Sequence, residues 1–185
     1  HQHGQGSDGP ALSTRIGGDV GVYYVNGENG DDANNGTTPA LAWLTIQEAF
    51  DRTAGVGAPN DGDEIRIMKT SNDHNFYRST DEMLITWSGK EVVILGANED
   101  GQVDGTRPTI YGGQLASTES IFKCTSGASD QSHFVNLIFD GEDTCQSCFE
   151  QSVTGNHNSS FINCRFTQAT THGVEVVSSN YYSYY

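Results

Sequence analysis

Apolar and polar residues alternate in two nearly identical runs late in the chain: Phe134-Val135-Asn136-Leu137-Ile138-Phe139 returns 27 residues on as Phe161-Ile162-Asn163-Cys164-Arg165-Phe166. Strand side chains have a period of two. Val135, Leu137 and Phe139 are therefore expected on one face, with Ile162, Cys164 and Phe166 on the same face one repeat later. Asn136, Ile138, Asn163 and Arg165 then point outward. A short strand recurring at this interval between Gly, Ser and Asn turns predicts a stacked β-solenoid, with Val135 on Ile162, Leu137 on Cys164 and Phe139 on Phe166. A second strand repeats at the same offset, as Ile121-Phe122-Lys123-Cys124 and Cys148-Phe149-Glu150-Gln151, then roughly as Val174-Glu175-Val176-Val177. Its pattern does not mark which face is inward.

Upstream, Glu64-Ile65-Arg66-Ile67-Met68, Val92-Val93-Ile94-Leu95 and Pro108-Thr109-Ile110-Tyr111 follow the same grammar, each bounded by Gly, Asp or Asn. Together the runs make about four to five coils. One segment departs from the pattern. Thr45-Ile46-Gln47-Glu48 fits a Ser/Thr-x-x-Glu capping box, and Ile46, Ala49 and Phe50 recur at helical spacing before Gly55 and Gly57. An amphipathic helix here would cover the edges of the first coil.

Several stretches carry a family resemblance: Val22-Tyr23-Tyr24-Val25-Asn26-Gly27, Asp31-Asp32-Ala33-Asn34-Asn35-Gly36-Thr37-Thr38-Pro39, Trp43 through Phe50, and Asp61-Gly62-Asp63-Glu64-Ile65-Arg66-Ile67. They resemble the N-terminal cap of right-handed parallel β-helix proteins of the pectate-lyase-like superfamily, and the resemblance extends over most of residues 20–180. It implies an all-β fold, a right-handed parallel β-helix (β-solenoid, ~27-residue coils) with an N-terminal capping α-helix. The expected organisation is a flexible leader at 1–19, a cap at 20–60 and coils over 61–185. The superfamily's scaffold carries polysaccharide lyases, glycoside hydrolases, phage tailspikes and fibres, and non-catalytic surface proteins, so fold alone does not select among them.

Composition narrows the partners. The chain holds 22 Gly in 185 residues, is 35% hydrophobic and has a formal charge of -15, as expected of narrow coils with long polar faces. With nine Lys and Arg in total, it has no basic patch for a phosphate backbone, which argues against nucleic acid as a partner. No apolar run approaches the roughly 18 residues of a membrane helix. His1 to Pro10 has neither initiator Met nor signal-peptide core and reads as a flexible or processed end. Tyr181-Tyr182-Ser183-Tyr184-Tyr185 stands where another inward strand is expected, with no cap in the sequence. The expectation is either further coils or a homo-oligomeric contact, as a trimer or an end-to-end stack.

The resemblance also implies where chemistry would lie. Lyases of this superfamily need acidic residues that hold calcium against a uronate and a basic residue that takes the proton α to the carboxylate. The parts available are Asp140, Glu142 and Asp143 in one turn and Arg165 on the next strand, two residues from the Asp140–Thr167 stack. The plainer reading is a solvated turn and a surface charge. A paired-carboxylate hydrolase is also open, though 24 Asp and Glu make chance neighbours common. Asp31 and Asp32, and Asp61 with Asp63, are candidate ligands for a structural Ca2+ in turns whose Asx chemistry explains them equally well.

Among the four cysteines, Cys145-Gln146-Ser147-Cys148 is a C-x-x-C open to a local disulfide, Cys164 reads as core, and no second pair completes a zinc site. Tyr23, Tyr24, Tyr77, Tyr111, Trp87 and the Tyr181–Tyr185 run are either sugar-stacking platforms or structural ladders. Three functions remain: an extracellular, cell-surface or virion β-helix with a glycan-facing flank; a secreted polysaccharide lyase or hydrolase; and a filament subunit stacking through an open end.

Overall fold

A computed structural model of the protein describes residues 21–52, 62–85, 91–125, 131–151 and 159–176. The expected leader at 1–19, Gly55, Gly57, Asp61, Trp87, Val177 and the Tyr181–Tyr185 run lie outside the described residues, and with them the expected open end.

The β-branched and aromatic runs form short strands, as their propensity predicts. Among the described residues these are β1 Val22–Val25, β2 Glu64–Met68, β3 Met83–Ile85, β4 Glu91–Ala97, β5 Thr109–Tyr111, β6 Ser120–Cys124, β7 Gln131–Val135, β8 Ile138–Asp140, β9 Ser147–Gln151, β10 Ser160–Ile162, β11 Arg165–Thr167 and β12 His172–Val176. Two short helices, α1 Ile46–Asp51 and α2 Asp73–Phe76, and a 3-10 turn at Pro39–Leu41 accompany them. The strand pairings are parallel, in three sheets ordered β1-β2-β4-β7-β10, β5-β8-β11 and β3-β6-β9-β12. From β4 onward the chain visits the three sheets in the same order three times, so each strand lies beside its counterpart from the previous circuit.

The 27-residue interval holds late in the chain, where Phe122 pairs with Phe149, Phe134 with Phe161 and Phe139 with Phe166. Earlier circuits are longer: Ile94 pairs with Phe134, 40 positions on.

The run read as one strand over 134–139 is two strands, because Asn136 between β7 and β8 has a φ of 56°. Asn163 repeats the bend between β10 and β11 with a φ of 52°. A left-handed residue resets the alternation, so the inward residues before the bend are out of phase with those after it. Phe134, Leu137 and Phe139 are fully buried while Val135 is only partly so, and Ile162 is 47% exposed while Phe161 packs on the core. The expected inward Val135 and Ile162 are thus corrected to Phe134 and Phe161. Leu137, Phe139, Cys164 and Phe166 keep their predicted side. Asn is among the few residues that enter this region readily, and the two bends are joined by a bond from Asn163 Nδ2 to Asn136 Oδ1 (2.7 Å).

Inside, aromatic rings fill the space between the sheets. Phe134 stacks on Phe161 at 5.2 Å and Phe139 on Phe166 at 5.1 Å, and Phe122 and Phe149 meet them edge-on or tilted. Helix α1 buries Ile46, Ala49 and Phe50 against this core, with Phe50 edge-on to Phe122. Its capping box is half formed: Thr45 Oγ1 accepts the Glu48 N–H (3.1 Å), but the Thr45 N–H goes to Asp32 Oδ1 and the Glu48 carboxylate to Arg52. From α1, the Gln47 amide accepts the Leu84 N–H (2.8 Å) and donates to the Leu84 carbonyl (3.2 Å). It thereby bonds the backbone of β3, the end strand of its sheet, as another strand would.

Candidate functional site

Short α2 organises the side chains that could do chemistry. Asp73, at its first position and 4% exposed, accepts the Thr70 N–H (3.0 Å), the Thr70 hydroxyl (2.7 Å) and the Thr109 N–H (2.8 Å), and pairs with Lys69. These bonds pin α2 to the start of β5. On one side of α2 His74 lies edge-on to Tyr111 at 4.9 Å, and its Nε2 is 2.7 Å from Glu142 Oε1. Arg78 Nε donates to the other carboxylate oxygen of Glu142 at 3.0 Å, and Arg78 Nη2 to the Gly113 carbonyl at 3.1 Å. Gly113 leaves room for this pair, since a Cβ there would push aside the Glu142 carboxylate and the Arg78 guanidinium. Glu142 itself has a φ of 50° and Asp143 one of 56°, and the turn they occupy is braced by the Glu142 N–H bond to Asp140 Oδ1 (3.0 Å).

Partial burial acts to raise the Glu142 pKa, but the hydrogen bonds and charges of Arg78 and His74 outweigh it and hold the carboxyl below its ordinary value of 4.5. A depressed folded pKa contributes stability above the unfolded value, lost as pH falls through the folded one. Glu142→Gln is therefore expected to be less stable than the parent by about 1 kcal/mol at neutral pH. That difference should close as the pH is taken below about 4.5. Urea titrations at several pH values check it; a pH-independent difference would mean that the ion pairs contribute nothing.

On the other side of α2 a groove of about 410 Å³ opens between the start of α1 and the segment leading into β3. Leu44, Gln47, Phe76, Arg78, Asp81 and Met83 line it. Leu44 is 39% and Phe76 37% exposed, so the groove presents apolar faces to solvent beside an amide, a guanidinium and a carboxylate. Arg78 is common to the groove and the Glu142 cluster.

Of the residues nominated from sequence, the structure brings Asp140, Glu142 and Asp143 into one turn, as expected. Asp140 pairs with Thr167, and the Gln168 amide, oriented to satisfy both groups, donates to Asp140 Oδ1 at 2.7 Å. Arg165 is exposed on β11, two residues from that pair, and the basic groups on Glu142 are instead His74 and Arg78. The calcium candidates hold backbone: Asp31 Oδ1 accepts the Ala33 N–H (2.9 Å), and Asp32 Oδ1 those of Leu44 and Thr45 (2.8 Å each). Asp63, 1% exposed, accepts the Gly21 N–H (2.7 Å), and Asp61 lies outside the described residues. Among the described residues no three His, Cys, Asp or Glu side chains converge as a metal's ligands would.

All four cysteines are free thiols, with Cys145 and Cys148 buried. Tyr23 stacks on Trp43 at 5.4 Å and Tyr77 is 4% exposed, so both are structural. The partners that sequence reasoning missed, His74 and Arg78, stand 68 and 64 positions from Glu142, and no local pattern marks them.

Comparison of the chain with protein-family models, with curated proteins and with solved structures finds no match.

Proposed function

We propose that the chain folds as a right-handed parallel β-helix of the pectate-lyase-like kind, exposed outside the cell or on a virion, and binds uncharged glycans through the groove beside α2. The support for the fold is the cyclic return to three parallel sheets, with α1 laid over the edge of β3 as a cap. Right-handed crossovers are the rule for parallel strands in one sheet.

The observation that carries the function is the lining of the groove. A pyranose ring has apolar faces and a rim of hydroxyls, and it fits a site where Phe76 and Leu44 offer exposed apolar surface next to Gln47 and Asp81. Uncharged sugars are favoured because the chain's net charge is -15 and the groove's Arg78 is already bonded to Glu142. Binding, rather than lyase chemistry, is favoured because Glu142 is held between two basic side chains while Arg165 stands on another strand.

Titration calorimetry against neutral oligosaccharides, with acidic ones in parallel, tests the proposal. Phe76→Ala should weaken binding of the neutral ligand about tenfold, the size of one lost stacking contact. Equal affinity in the variant, or no binding to any neutral glycan, would remove the groove as the site.

A further inference from the structure

On the outer face of the first sheet three side chains from successive circuits meet. Side chains alternate across a strand, so with Val92, Ile94 and Phe134 in the core, Glu91 of β4, His133 and Val135 of β7, and Ser160 and Ile162 of β10 lie on the outer face. Ser160 is directly beside His133 in the register, and Glu91 is diagonal to it, opposite Gln131. His133 Nδ1 is 2.7 Å from Ser160 Oγ, and His133 Nε2 is 3.4 Å from Glu91 Oε1. The backbone carrying the pair is held from inside, where the next residues, Phe134 and Phe161, stack with an interplanar angle of 13°.

With Nε2 3.4 Å from the Glu91 carboxylate, a proton placed on that nitrogen leaves the ring's lone pair on Nδ1, facing the serine hydroxyl. We infer that Ser160, His133 and Glu91 act as nucleophile, general base and positioning carboxylate in the hydrolysis of neutral acyl esters. Ser160 Oγ attacks the ester carbonyl carbon as its proton passes to His133 Nδ1. The C–O bond to the alcohol then breaks, and the leaving oxygen takes that proton, leaving acyl-Ser160. Water attacks the acyl carbon, giving a proton to His133. The carboxylic acid departs as Ser160 Oγ is reprotonated. Glu91 holds the imidazole in the required tautomer and offsets its charge while protonated.

The ester class follows from the surroundings. Beside the pair, on the same face, half-buried Val135 and 47%-exposed Ile162 form an apolar strip suited to a short acyl chain. Glu91 and the net charge of -15 disfavour anionic esters.

The test uses the intact chain with two probes, a fluorophosphonate and 4-nitrophenyl acetate. The fluorophosphonate should label Ser160, as located by peptide mass mapping, and Ser160→Ala should abolish both the label and ester turnover. His133→Gln, which leaves the serine in place, should slow labelling by about 10²-fold or more, with its circular dichroism melt reporting on folding. Glu91→Gln should lower kcat roughly tenfold at unchanged KM, which a merely structural role would not produce. The inference is overturned if the parent chain is labelled no faster than Ser160→Ala, or if folded His133→Gln reacts at the parent rate.

Discussion

Phe134→Ala should destabilise the protein by about 3–5 kcal/mol, while Val135→Ala, one residue on, should cost about 1 kcal/mol or less. Phe134 is fully buried and touches four other rings, stacking on Phe161 and meeting Phe122, Phe139 and Phe149 at centroid distances of 5.3 to 6.2 Å. Truncating it leaves a cavity bounded by rings that are held by strands on successive circuits and so cannot close in. Val135 lies on the outer face, and its loss removes a partly exposed contact with Ile162. Urea denaturation of both variants gives the comparison. Equal losses, or a larger loss for Val135→Ala, would mean that Asn136 does not bend the chain as described and that the simple alternation is correct.

Asp73→Ala should cost a similar amount, about 3–5 kcal/mol, for a different reason. The carboxylate is 4% exposed, and its removal strips acceptors from the Thr70 N–H and hydroxyl and the Thr109 N–H, and a partner from Lys69. Buried donors left without acceptors lose their hydration as well as their bond. Asp73→Asn, which keeps a carbonyl but loses the charge, should fall between Ala and the parent. Because Asp73 pins the helix that carries His74 and Phe76, Asp73→Ala should also weaken any neutral glycan bound in the groove. A loss below about 1 kcal/mol in urea titrations would show that α2 is held by something other than this carboxylate.

The two variants test different kinds of legibility. The repeat is visible as a pattern, and the strands it predicts at 64–68, 92–95, 121–124 and 148–151 form, the one predicted at 108–111 forms over Thr109–Tyr111, and the helix after Thr45 forms as well. Hydrophobicity does not separate residues 134 and 135 as the inward position. Both are apolar, and the choice is made by the sign of φ at Asn136. The site was legible only in part. Glu142 and Asp140 stand out as acids in a Gly turn, but their meaning depends on His74, Arg78 and Gln168, which arrive from other segments. Asp32 has the chemistry of an ion ligand, and the structure places it on the backbone of the residues that start α1.

By itself, the sequence determined the recurrence. Strand-forming runs separated by turn residues, at an interval that returns phenylalanine to phenylalanine, commit the chain to parallel stacking, because only stacked copies bury each other's rings. The tertiary structure alone decided which residues meet across circuits. Circuit length varies from 25 positions between Phe149 and Val174 to 42 between Val22 and Glu64, so neighbours across the stack cannot be counted out along the chain. Ser160 reaches His133, and Glu142 reaches His74, through backbone register and turn geometry. Those are set by the hydrogen-bond ladders between strands, and a one-dimensional pattern of apolar residues does not encode them.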